Sequence, residues 1–108
     1  MAPKPSFVSL LVLAAFLLGT TDSLAQNELR DTFFKDADAA LAEADAADAQ
    51  LLAPRSYDKG SKAYAAAEAG LNRGRNVQYL RDKTAEAASN YGAAKRAAEL
   101  AKTVLAQV

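Results

Sequence analysis

Cysteine, histidine and tryptophan are absent from the 108 residues, and proline (3), glycine (5) and methionine (1) are scarce. The lack of cysteine excludes a disulfide framework and a thiolate nucleophile. Without histidine as well, there is no Cys/His zinc site and no imidazole base. No charge dominates, since 13 basic residues balance 13 acidic ones. That balance argues against a nucleic-acid binder, which needs a basic surface to displace counterions. What is abundant is alanine, 27 residues of 108. Alanine with regularly spaced charges favours long helices over sheet, and the length allows one small domain.

The first 25 residues differ from the rest. Lys4 is the sole early cation, and an apolar run from Phe7 to Leu18 has Ser9 as its only polar member. Gly19, Thr20 and Thr21 break the run, and Ser23-Leu24-Ala25 places small residues three and one before a cut. This is the layout of a cleavable secretory signal. A retained membrane anchor is the alternative, but twelve helical residues reach only about 18 Å against a hydrocarbon layer of about 30 Å. With no cysteine after the run, a bacterial lipoprotein route is excluded. Residues 1–25 are therefore expected to be removed, leaving residues 26–108 as one alanine-rich domain. That domain enters an oxidising compartment without using disulfides.

Period and punctuation predict an all-α, elongated, coiled-coil-like bundle of three helices, about 27–53, 57–73 and 77–107. Asn27 caps the first, and the stripe Phe33, Ala37, Ala40, Ala44, Ala47, Leu51 alternates spacings of four and three. Pro54 ends it, because the residue before a proline is pushed out of the helical region. Ser56 is the expected cap of the second helix, whose stripe is Tyr57, Gly60, Tyr64, Ala67, Leu71. Gly74 closes it as a C-terminal glycine, and Asn76 caps the third. There the pattern is strongest, running through Val77, Leu80, Thr84, Ala87, Tyr91, Ala94, Ala98, Ala101, Leu105 and Val108. A sustained seven-residue repeat implies a left-handed, coiled-coil-like crossing. Only 17 large apolar or aromatic residues follow residue 25, so the core is thin and marginal stability is expected.

Charge is divided unevenly along the domain. Residues 26–53 hold seven acids and two bases, net −5, and residues 54–108 hold ten bases and five acids, net +5. Asp36 and Glu43 fall on one edge of the first stripe, and Asp31, Asp38 and Asp45 on the other. Arg81, Lys95 and Lys102 form a column beside the seam of the third helix. Opposed edges of this kind set helix orientation more than stability.

Candidate chemistry is sparse. The acidic run Asp36 to Asp48 diverges around a straight helix, whereas a calcium site needs six to eight oxygens converging from a loop. A solvated helix face is the better account, and no metal or cofactor is expected. A carboxylate pair for glycoside cleavage requires a cleft that a slim bundle does not provide, so no catalytic residue is assigned. Tyr57, Tyr64 and Tyr91 lie on seams and read as core. Tyr79 faces away from its seam and is the tyrosine to suspect of touching a partner. Arg73-Gly74-Arg75 reads either as a helix end with cations near the C-terminal dipole or as a grip for a phosphate or acidic polymer.

The run Leu52-Ala53-Pro54-Arg55-Ser56-Tyr57, then Gly60, Ala63-Tyr64, Ala67-Glu68 and Leu71-Asn72-Arg73-Gly74-Arg75-Asn76, resembles a bacterial envelope domain of unknown function. The resemblance covers most of residues 27–108 and implies a helix, a Leu-Ala-Pro turn, a helix, an Arg-Gly-Arg-Asn turn and a long helix. Members often precede an outer-membrane-protein-A-like peptidoglycan-binding domain in Gram-negative bacteria, which implies a periplasmic location. No such domain follows in this sequence, so peptidoglycan contact is not carried over, and no catalytic residue exists to transfer.

The sequence therefore reads as an exported, non-enzymatic structural or interaction module. An amphipathic lipid or membrane-surface binder is the alternative, although alanine-rich seams and acidic edges disfavour anionic lipid. After signal removal no integral membrane segment is expected. With side-by-side helices the third draws level with Pro54 near Ala94. From there Ala94, Ala97, Ala98, Leu100, Ala101, Val104, Leu105 and Val108 are expected to project and to pack against another chain, or against a further domain in longer relatives. Export is directly testable: protein from a secreting host should begin at Gln26 by mass spectrometry, and a retained full-length product refutes cleavage after Ala25.

Overall fold

The computed structural model describes residues 27–108, so the leader, Ala25 and Gln26 lie outside the described residues. Two compact units divide the chain, Met1–Asp31 and Thr32–Val108. Of the first, residues 27–31 are described and are helical. The second carries the packing described below.

Helix accounts for 90% of the described residues, with no strand among them. It forms α1 (27–46), α2 (Ala49–Leu52), α3 (Pro54–Asn72) and α4 (Val77–Gln107). The class is all-α, but the first segment is not the single helix 27–53 that its pattern predicts. Asp48 takes left-handed angles, φ 60° and ψ 34°, and separates α1 from the one-turn α2. Aspartate tolerates this region better than most residues. The bend changes which side chains face inward: Ala47, Ala49 and Ala53 are all buried, while Leu51 is 80% exposed. In an unbroken helix residues 47 and 49 would point about 200° apart. Tertiary packing of two alanines has overridden a continuous local pattern.

The second turn is tighter than a gap at 54–56 implies. Pro54 is the first residue of α3, where its missing N–H costs nothing and its fixed φ suits a helix. Ser56 therefore lies inside α3 and is not its cap; Ala53 holds that position, with no side-chain hydrogen bond. At the far end the last carbonyls are met by the chain reversal itself. The Arg75 N–H donates to the Gly70 carbonyl at 2.8 Å and the Gly74 N–H to that of Leu71 at 3.2 Å. This is a Schellman closure, and it requires the positive φ of 72° that Gly74 adopts. Asn76 then accepts from the Tyr79 N–H at 2.9 Å, capping α4.

The core of the second unit has two parts. Near the Gly74 turn, Phe34, Ala67, Leu71 and Leu80 are buried together, with Phe33, Tyr64 and Tyr79 around them. Towards the bend, Tyr91 sits among alanines of all the helices, including Ala37, Ala44, Ala49, Ala63, Ala94 and Ala98. Phe34, the fully buried large side chain, meets the Tyr64 ring edge-on at 5.2 Å. Thr84 is buried in the seam, but its hydroxyl donates to the Leu80 carbonyl at 2.8 Å, so its polarity is satisfied within its own helix.

Glycines on α3 make room for the tyrosines of α4. A Cβ on Gly60 would stand 2.7 Å from the Tyr91 ring, and one on Gly70 would stand 2.6 Å from the Tyr79 ring. Tyr91 has nowhere to retreat, being 2% exposed and bonded through its hydroxyl to Ser61 at 2.9 Å. Gly60→Ala gains about 1 kcal/mol of helix propensity but overpacks the seam by about 1–3 kcal/mol. Gly92 lies mid-helix, and an added Cβ meets only the flexible end of Arg96 at 3.6 Å. Urea melts should therefore show Gly60→Ala less stable than the parent and Gly92→Ala more stable by about 0.5–1 kcal/mol.

Candidate interaction surface

The acidic edges of α1 are used in two different ways. On the α3 side, Tyr57 donates to Asp45 at 2.8 Å, and Tyr64 donates to Asp38. The two tyrosines are seven apart in sequence, as are the two aspartates, so antiparallel helices align the contacts as two rungs of a ladder. On the α4 side, Lys95 pairs with Glu43 at 3.5 Å and Lys102 with Asp48 at 3.1 Å. Two of the three cations in the basic column thus meet the acidic segment, Lys95 on α1 and Lys102 at the bend that follows it. The third, Arg81, lines a groove with Thr32, Phe33, Asp36 and Thr84. These side chains are largely exposed, and each ion pair contributes about 0–1 kcal/mol. Together they set the register of α1 against both neighbours.

Asp45 also alters the chemistry of Tyr57, whose pKa is pushed up to about 12. The hydrogen bond to the carboxylate is the main cause, followed by burial and by repulsion between the carboxylate and a phenolate. The Tyr57 ring meets Tyr91 edge-on at 5.4 Å.

Tyr79 is not the outward-facing tyrosine of the sequence reading. Its ring covers Gly70, half-buried at the rim of the core, with the Arg75 guanidinium stacked 4.0 Å from its centre. The helical wheel placed it off the seam because α3 presents no Cβ at Gly70, and a ring can lie across the gap. Arg75 is thereby engaged in closing the turn.

The expected projection of α4 begins later than Ala94. Ala94 and Ala98 are fully buried and Ala101 is half-buried, so these do not form a free surface. Two features extend the packing. α3 starts at Pro54 rather than Tyr57, and the bend at Asp48 lays Ala49 and Ala53 over α4. From Lys102 onward every residue is exposed. Leu100 (65%), Val104 (52%), Leu105 (63%) and Val108 remain open with Ala97, and Leu51 at the bend is exposed as well. Leu51 was missed because its spacing fits the α1 stripe; no Gly or Pro marks the break.

Among the described residues no group of three or more acidic side chains converges to hold a metal ion. No helix there is long and apolar enough to cross a membrane. A groove between α3 and α4 is lined by Lys59, Lys62 and Lys83 with Glu86 and Asn90. Two of these cations have acidic partners, Lys62 with Asp58 and Lys83 with Glu86. Compared with known protein families, curated proteins and solved structures, the chain matches none.

The raised pKa carries a pH signature. A proton held more tightly in the folded state contributes stability that is complete below pH 10 and disappears as pH rises through about 12. Replacing Asp45 by Ala should return the Tyr57 titration towards 10 in a phenolate absorbance titration. It should also flatten the alkaline decline in stability; unchanged titration refutes the assigned cause.

Proposed function

We propose that this protein is an exported, non-enzymatic interaction module of the Gram-negative cell envelope, working in the periplasm through helix–helix packing at the far end of α4. The observation that carries this reading is the exposure of Leu100, Val104, Leu105 and Val108 in the last turns of α4. Scattered exposed leucines are ordinary, but four large apolar side chains exposed within nine residues of one helix favour a contact surface. The signal-like leader supports export, and the resemblance to an envelope domain supports the compartment. The register-setting contacts of α1 support a scaffold role, since they hold the helices that present this end.

The test places a photo-crosslinking residue at position 104 and a control at Asp82, at the opposite end of α4, in protein exported by a Gram-negative host. Protein adducts at position 104 and not at position 82 support the reading. Absence of protein adducts at position 104 overturns it, and flotation of the purified protein with anionic vesicles assigns the surface to lipid.

A further inference from the structure

We infer that the groove between α3 and α4, on the side away from α1, is the docking site of an acidic helix of a partner protein. The inference rests on the reading that α4 presents a docking surface, and it names the chemistry of the partner.

The α3–α4 pair has two sides, and α1 covers one of them. There α1 sets Ala37 and Ala44 inward. Its carboxylates reach out along both edges, Asp38 and Asp45 to tyrosines of α3 and Glu43 to Lys95 of α4. An alanine-lined, acid-edged helix is thus what this pair accepts. The other side is a second groove, walled by Lys59, Lys62 and Ala66 of α3 and by Lys83, Glu86 and Asn90 of α4. Buried Ala63 forms its floor, and a small side chain there lets a further helix axis come close. At 100° per residue, Glu86 and Asn90 point away from Ala88 and Lys95, which line the α1 side. Asp82, bonded to Gln78, does not line the groove.

Charge names the occupant. Arg55, Lys59, Lys62 and Arg73 fall within about 60° on one flank of α3. Arg75 and Lys83 stand 4.0 and 5.9 Å from the centre of the Tyr79 ring on the same side. Lys62 and Lys83 pair with Asp58 and Glu86. Among the described residues the other four cations have no acidic partner. With Asp82 counted, six cations stand against three acids on this side, net +3. A second copy would have to unpair its own bundle to offer α1, because Asp38, Glu43, Asp45 and Asp48 are already engaged. A concave groove with an alanine floor fits a helix better than a flat lipid surface. Beyond Asn90 the same wall of α4 continues to Leu100 and Val104, with Val104 five full turns from Glu86. A helix bound in the groove therefore runs onto that apolar row.

The probe is a synthetic helical peptide of about 25 residues, long enough at about 1.5 Å per residue to span the groove. It carries alanine at the a and d positions and glutamate at e and g; a twin carries lysine in place of glutamate. In fluorescence anisotropy with the mature protein, the glutamate peptide should bind and the lysine peptide should not. Binding should weaken about tenfold or more between about 0.1 M and about 1 M salt, as the screening length shrinks from about 10 Å to about 3 Å. Lys59→Glu with Lys83→Glu should abolish it, and Lys59→Gln with Lys83→Gln should weaken it. Lys35→Glu with Arg96→Glu, an equal charge change on other surfaces, should leave it unchanged. Parent-like circular dichroism spectra verify that each variant is folded. Equal binding of the two peptides, or no binding up to about 100 μM, overturns the inference. So does loss of binding in Lys95→Glu but not in Lys59→Glu with Lys83→Glu, which places the peptide in the seat of α1. Flotation with phosphatidylglycerol vesicles in the absence of peptide binding assigns the groove to lipid and overturns it too. If the peptide fails while position 104 still forms protein adducts in the envelope, the docking surface stands and only the acidic partner is refuted.

Discussion

Close approach of helix axes is the constraint on which this structure depends. Most buried positions are alanine, and an alanine withdraws little area from water, so the helices gain contact only by lying near one another. That proximity gives each glycine on α3 a definite use. Gly60 and Gly70 leave flat patches of backbone, and the Tyr91 and Tyr79 rings lie against them. The same seam in leucine would separate the helices and leave those rings without seats. Packing specificity therefore resides in two glycine–tyrosine contacts and one buried phenylalanine rather than in a broad core.

A thin core of near-identical alanines does not choose its own register, since sliding one helix by a turn replaces one alanine with another. Polar contacts at the edges make the choice. Tyr57 and Tyr64 reach Asp45 and Asp38, while Lys95 and Lys102 reach Glu43 and Asp48. A slip of one turn breaks all four contacts at once. Each is weak because it is exposed, but a register needs only a consistent difference between alternatives. The bend at Asp48 belongs to the same system, because Lys102 holds the residue that adopts the left-handed backbone.

The bend also governs which large side chain meets solvent. A straight first helix would turn Leu51 inward along the stripe of Ala37, Ala44 and Ala47. Bent, the chain turns Ala49 and Ala53 inward and leaves Leu51 in water. One backbone conformation thus relocates a large apolar side chain from the seam to the surface.

Local pattern alone determined the helical class, the bounds of α4, the glycine closure at Gly74 and the Asn76 cap, because each depends on neighbours within four residues. The burial of Leu80, Thr84, Ala87 and Tyr91 was legible for the same reason: a seven-residue repeat needs no partner to define its stripe. The ladder was not read from the pattern, which placed Tyr57 and Tyr64 in the core; the seven-residue spacing that Asp38 and Asp45 share with Tyr64 and Tyr57 becomes informative only once the helices are paired. Tertiary structure decided the rest. Asp48 breaks a segment with no breaker in it, because burying Ala49 and Ala53 outweighs a single left-handed residue. Tyr79 turns inward because an adjacent helix lacks a side chain at Gly70, a fact no helical wheel of α4 contains. The point where α4 leaves its neighbours lies beyond Ala98 because it depends on where α3 begins and how α2 folds back. Those are distances between segments remote in sequence, and periodicity within one helix cannot encode them.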